Sequence, residues 1–271
     1  MGRPRRPTLA LLALLALPLI AAERPLRDRF DTVVVDAGHG GEDHGARGER
    51  GLVEKELVLD VAQRLAVRLQ ANGLHVVMTR QQDVLVPLES RYAAANEARG
   101  DLFVSIHGNA IDDPGVRGTE TFFLSLESSD ADAQRLARRE NAAFGGSSGA
   151  RVTPEDPLLA VIGDMMVNDY HRESSAFAKL AQTELAAIDP ANSRGVKQAP
   201  FVVLMGVQMP ASLVEIGFIT NAQDERQLRS SSNRDQIAAA LARAVLAFGR
   251  HYDRRRGVGS ETDGRPARAG R

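Results

Sequence analysis

Four ionisable residues stand where chemistry would need them. His39 lies in Asp36-Ala-Gly-His-Gly-Gly41 and His107 in Ser105-Ile-His-Gly-Asn-Ala110, each directly after a short apolar run. Glu54 opens an amphipathic stretch in Glu54-Lys-Glu56, and Glu215 closes an apolar run in Val214-Glu-Ile-Gly-Phe218. Two histidines and one glutamate form a three-ligand zinc set that leaves a fourth position for water. The metal would lower the pKa of that water and polarise a carbonyl. The remaining glutamate could take the water's proton and pass it to a leaving nitrogen. Each residue alone has a plainer reading. A histidine after a strand is often a hydrogen-bonded structural residue, Glu54 fits a first-turn acid favoured by the helix dipole, and Glu215 fits a paired buried carboxylate. The glycine-rich Asp36–Gly48 lacks both the GxGxxG spacing and the lysine of a phosphate loop. The four residues argue for a metal hydrolase because all sit at predicted element ends together.

The elements that would position them alternate. Thr32–Asp36, Leu74–Thr79, Leu102–Ile106, Thr119–Leu124, Phe201–Met205 and Ala211–Ile216 are short apolar-rich runs with the length of buried strands. Between them, residues 54–71 place Leu57, Val61, Leu65 and Leu69 on one helical face. Residues 87–99, 173–188 and 233–249 also read as helices. This predicts a single-domain α/β fold over 30–249, a sheet of about six strands covered on both faces. In open α/β sheets ligands bind beyond the carboxyl ends of the strands, where the four ionisable residues fall. Residues 125–194 carry helical character with no predicted strand and read as a helical insertion, the kind of segment that serves as a lid or binding element.

Composition removes several classes. The 271 residues include no Cys and no Trp, and aromatics are 4%. A disulfide framework, a cysteine nucleophile and a thiolate zinc site are thereby excluded, and an aromatic platform for bases is disfavoured. The net charge of −1 is uneven: 23–249 carries −8, while basic charge gathers at the two ends. An acidic body does not suit a phosphate-backbone binder, so no nucleic-acid partner is expected. Residues 1–22 read as a secretory signal, with Arg3, Arg5 and Arg6 before the apolar run Leu9–Ile20 and a cleavage point at Ala21-Ala22. That run is short of the ~20 residues of a membrane span. Arg5-Arg6 leaves both the general and the twin-arginine export routes open. Residues 250–271 read as a disordered Arg-rich tail.

At these residues the sequence resembles the zinc-dependent N-acetylmuramoyl-L-alanine amidases of bacterial cell separation. The similar segments are Val34–Gly41, Glu54-Lys-Glu56, Thr79-Arg80, Leu88 through Arg91 to Asn96, Ser105-Ile-His107, Gly118-Thr-Glu-Thr121 and Val214–Asn221, in family order over about 31–249. The resemblance implies a mixed sheet, one Zn2+ per chain on His39, Glu54 and His107, and Glu215 as catalytic acid/base. The implied reaction hydrolyses the amide between N-acetylmuramic acid and the L-alanine of the stem peptide. The family usually has Ala where Gly108 stands, which implies a looser loop. Asn109 matches and would contact substrate or fix that loop. Residues 125–194 resemble the regulatory segment of Gram-negative members, in which a helix covers the zinc until a degenerate-endopeptidase (LytM-type) activator removes it. Glu140 is then the expected blocking carboxylate, with Asp156 and Asp164 as alternatives. A periplasmic location follows from that likeness, with an extracellular one sharing the same signal. A non-catalytic wall-binding protein and a zinc peptidoglycan carboxypeptidase are the competing functions. The apolar Asp156–Asp169 reads as core or as a partner-binding patch. Of the remaining histidines, His75 is expected to be structural and His171 and His251 to face solvent, while His44, in the loop after His39, has substrate contact only as its less favoured reading.

Overall fold

In a computed structural model the described residues are 29–142 and 157–258, with the helix backbone alone described over 157–169. The expected signal 1–22, residues 143–156 with Asp156, and the side chains of Asp164 and its apolar neighbours lie outside what is described. The strands are β1 (Thr32–Ala37), β2 (His75–Met78), β3 (Leu102–Asn109), β4 (Thr119–Leu124), β5 (Ser193–Ala199) and β6 (Ala211–Phe218). The helices are α1 (Glu54–Ala71), α2 (Leu88–Glu97), α3 (Ala131–Ala142), α4 (Pro157–Ala186), α5 (Val202–Met205), α6 (Ala222–Arg229) and α7 (Ser231–Arg256). The sheet order is β2-β1-β3-β6-β4-β5. β4 pairs antiparallel with β6 and parallel with β5, so two strands run against the other four. The expected single α/β domain with a mixed, mostly parallel six-stranded sheet is what forms. No helix among the described residues is long and apolar enough to cross a membrane.

The period of two along each strand sorts the side chains into two cores. Val33, Val35, Val104, Ile106, Val214 and Ile216 pack with α1, α4 and α7. Val34, Phe103, Phe122 and Leu213 pack with α2, α3 and α5. The predicted α1 face holds: Leu57, Val61, Leu65 and Leu69 are fully buried, each stabilising by ~1.5–3 kcal/mol. By the same alternation, Asp36, Ser105, His107 and Glu215 fall on the second face, towards the carboxyl ends of their strands. Chemistry and core thus share the strands by parity.

Three expectations need correction. Phe201–Met205 is not a strand; it forms the short helix α5, with all of Val202–Met205 buried. A short apolar run with no alternation cannot separate a strand from a buried helical turn. The sixth strand is instead β5, Ser193–Ala199, which overlaps the end of the segment read as strandless. It escaped because it is a polar edge strand with a register shift against β4. Arg194 and Lys197 both turn towards the buried Glu120, so no regular alternation marks it. The tail boundary at Arg250 also moves. α7 continues through Arg256, with Tyr252 buried in a ring cluster with Phe30 and Phe248. Residues 259–271 lie outside the described part.

Candidate active site

The loop after β1 is built to carry His39 to one point. His39 adopts a left-handed backbone (φ 57), which a non-glycine residue takes only when held there. Two buried arginines hold it. Arg80 donates to Ala37 O at 2.9 Å, Gly38 O at 2.7 Å and Lys55 O at 2.8 Å. Arg91 donates to Ala37 O at 2.6 Å and His39 O at 2.7 Å. Arg91 is anchored in turn by Asp36 at 2.7 Å, which also accepts from Ser105 Oγ and Thr79 Oγ1, each at 2.6 Å. Burial alone would push the Asp36 carboxyl up. Arg91 and the three hydrogen bonds outweigh it and hold the group below its usual range. Gly38 has no room for a side chain, since a Cβ would come within 2.4 Å of the His107 ring.

α1 delivers Glu54. Its N-terminal amides find partners in the same loop: Glu54 N donates to Ala46 O at 2.9 Å and Lys55 N to His44 O at 3.3 Å. The Glu54 carboxylate accepts from Ala46 N at 2.7 Å through Oε2 and from Gly108 N at 2.9 Å through Oε1. Gly108 is therefore pinned rather than loose, which corrects the expectation drawn from its identity.

His39 Nε2 lies 2.9 Å from Glu54 Oε1 and 3.4 Å from Glu140 Oε2. His107 Nδ1 lies 3.2 Å from Glu54 Oε1 and 3.1 Å from Glu140 Oε2. These four residues offer ligand atoms within 4.8 Å of one another. Atoms at the corners of a tetrahedron centred on zinc, each ~2.1 Å from it, stand ~3.4 Å apart. His39 Nε2 is buried with no hydrogen-bond partner despite its close oxygen neighbours, as expected of a lone pair aimed at an ion. The nitrogen–oxygen donor set and the spacing both fit a divalent zinc ion. Asp43 completes the arrangement: His39 Nδ1–H donates to its Oδ2 at 2.8 Å, which leaves Nε2 as the ligand atom.

The electrostatics agree. Burial would lower His39, but the carboxylates of Glu54, Asp43 and Glu140 push it up to about 9. Burial would raise Glu140, but His107 and Arg139 hold it down to about 2. Glu215 behaves in the opposite way. It is fully buried, both its oxygens lack hydrogen-bond partners, and burial pushes its carboxyl well above the usual range. It sits on β6 in register with His107 on β3, so the two side chains leave neighbouring strands on one face.

Glu140 arrives on α3, in the buried stripe Ala133, Leu136, Ala137 and Glu140. Arg139 donates to its other oxygen at 2.8 Å and to Ala110 O at 2.7 Å. Asn109 is buried and works within the loop: Nδ2 donates to Glu120 at 3.3 Å and Oδ1 accepts from Ala110 N at 2.7 Å. A cleft of about 620 Å³ opens beside the centre, bordered by Glu42, Leu85, Pro87, Glu89 and Arg139. His44 and His75 are exposed, and so is His251. His171 departs from the solvent-facing expectation and packs edge-on against Phe123, with ring centroids 5.0 Å apart. Sequence reasoning gave no role to Asp43, Arg80 or Arg91, although the last two stand in the segments that carry the resemblance.

The model of the N-acetylmuramoyl-L-alanine amidase family, Amidase_3, matches residues 33–247. The chain belongs to that family. It is 36% identical to AmiA of Escherichia coli K12 over 223 residues, covering 82% of this chain and 77% of AmiA. It is 35% identical to AmiC of Escherichia coli O6:H1 over 228 residues, covering 82% of this chain and about half, 54%, of AmiC. The solved amidase AmiC2 of Nostoc punctiforme superposes with a TM-score of 0.61 at 29% identity, covering 80% of this chain and 96% of that one. The amidase of Clostridium difficile 630 superposes with a TM-score of 0.62 at 26% identity, covering 82% and 97%. Peptidoglycan is accordingly the substrate of the amidase, and hydrolysis of the muramoyl–alanine amide its activity.

Proposed function

We propose that the amidase is a zinc enzyme of cell-wall remodelling and daughter-cell separation, held closed at rest. The observation that carries this is the convergence of His39 Nε2, Glu54 Oε1 and His107 Nδ1 beside the unpartnered Glu215, with Glu140 Oε2 at a fourth corner. His39, Glu54 and His107 would hold one Zn2+. The ion supplies Lewis-acid polarisation of the substrate carbonyl and a lowered pKa for water. Glu215 takes a proton from the attacking water as its oxygen bonds to the lactyl carbonyl carbon. It returns the proton to the L-alanine nitrogen as the C–N bond breaks, giving a carboxylic acid and a free amine. Burial suits Glu215 to this work, because it pushes the carboxyl above its usual range and so strengthens its hold on the proton it must take and return.

Glu140 occupies the corner that water needs, and Arg139 secures it there. The amidase is therefore autoinhibited until α3 leaves. A LytM-type activator, acting in the periplasm after export through residues 1–22, supplies the displacement.

Zinc analysis and sacculus digestion on residues 23–271, beside Glu215→Ala, test the reading. One zinc per chain is expected, with little digestion by the closed chain and, once Glu140→Ala opens the blocked corner, release of peptides bearing a free L-alanine amino group that Glu215→Ala abolishes. Trimming of D-alanine would move the assignment to a carboxypeptidase. Absence of zinc would undo the ligand set and favour a non-catalytic wall-binding protein.

A further inference from the structure

A polar cluster on the far side of Glu215 is not used by the chemistry above. Glu120 on β4 is buried and stands in register with Glu215, as Glu215 does with His107. Its Oε1 accepts from Lys197 Nζ at 2.9 Å and from Arg194 Nε, both on β5. The Arg194 guanidinium lies over the Phe218 ring, 5.3 Å from its centroid. One carboxylate thus faces two cations, and positive charge is left over.

That surplus is met from the blocking element. Asp130 Oδ2, in the turn that starts α3, lies 3.1 Å from Lys197 Nζ, and Asp132 Oδ2 lies 3.7 Å from Arg194 Nη2. A cleft of about 170 Å³ opens here, lined by Glu120, Asp132 and Phe218 among others. Arg139 borders both this cleft and the larger one beside the metal ligands. α3 therefore lies across both, with Glu140 at the ligand end and its two aspartates at the cation end.

We propose that Arg194 and Lys197 form a carboxylate-binding subsite for the stem peptide, which α3 fills with Asp130 and Asp132 until it is displaced. The proposal rests on the amidase reading and on α3 being the element that leaves. Reach supports it. β5 stands two strands from β6, ~10 Å at the usual strand spacing, and an extended peptide covers that distance in about three residues. A carboxylate on the second or third residue beyond the scissile amide arrives at the cation pair. Charge supports it too. The pair is recessed, with Lys197 12% and Arg194 27% exposed, so attraction for an anion is less screened than at an open surface. Glu120 keeps both cations in place while neutralising only one. In this view α3 imitates the substrate at two points.

The test is calorimetric titration of the zinc-loaded full chain with L-alanyl-γ-D-glutamyl-diaminopimelate. The comparison ligand is the same peptide with its α-carboxylate and C-terminal carboxylate amidated. Freeing the cations in Asp130→Asn/Asp132→Asn should tighten binding of the acid peptide about tenfold, the scale of one charge-assisted hydrogen bond, and leave the amidated peptide unchanged. Adding Lys197→Met to that variant should erase the preference, and Lys197→Arg should keep it. Equal binding of the two peptides by Asp130→Asn/Asp132→Asn overturns the subsite, and that variant leaves the buried Glu120 pairing intact should Lys197→Met fail to fold. Sacculus digestion by the same variants carrying Glu140→Ala, which frees the blocked corner, separates the two levels. Digestion without acid preference sinks the subsite and keeps the amidase; acid preference without digestion keeps the subsite and sinks the amidase mechanism.

Discussion

His39, as a proposed metal ligand, depends on a neighbour as much as on its own ring. Asp43 fixes its tautomer through Nδ1, and nothing else among the described contacts of the ring does so. Asp43→Asn should weaken zinc binding by about 10–100-fold, as loss of such an outer partner usually does. Competition against a chromogenic chelator would read this, and unchanged affinity would remove Asp43 from the site. His39, Glu54, His107 and Glu215 were legible in the sequence because reactive residue types stood at the ends of recognisable runs. Glu140 was legible through the family likeness, and its position in the apolar stripe of α3 is a second signal. Asp43 was not legible. An aspartate four residues from a histidine in a glycine-rich loop means nothing until the loop folds back on itself.

Among the elements, the β1 end, α2 and the segment after β2 act together through Asp36 and Arg91. Asp36→Asn would strand the Arg91 guanidinium without its counter-charge, at a cost of ~3–5 kcal/mol, measurable by denaturant unfolding. The pH dependence has a definite sign. Asp36 titrates below its ordinary value in the folded state, so its contribution is fully present above the unfolded carboxylate pKa of ~3.9. It is lost as pH falls from there through the lower folded value. The acid limb of the stability curve should therefore be shallower in Asp36→Asn. α1 and the central strands were legible because their apolar period is regular. β5 was not, because an edge strand whose cations turn to one buried carboxylate carries no alternation. α5 misled because Phe201–Met205 is apolar all round and too short to show a period.

For the molecule as a whole, the proposal that α3 sets the resting state is open to test. Glu140→Ala should raise basal sacculus digestion several-fold without activator; a variant no more active than the parent would refute the autoinhibitory role. Chelation of the metal should lower the melting temperature, since an ion at 1,000 times its dissociation constant stabilises by ~4 kcal/mol. The far-UV circular dichroism should persist, because the two cores involve no metal ligand. Collapse of the secondary structure on chelation would show that the ion, not the cores, holds the fold.

The arginine clamp carries one more consequence. Arg80 and Arg91 grip the carbonyls of residues 37, 38 and 39 through protein hydrogen bonds alone, and Glu54 is seated by the amides of Ala46 and Gly108. Neither arginine hydrogen-bonds to any of the four side chains that converge there. A substitution at either would shift His39 while leaving every donor group in the chain, so the centre can be damaged from residues that never enter it.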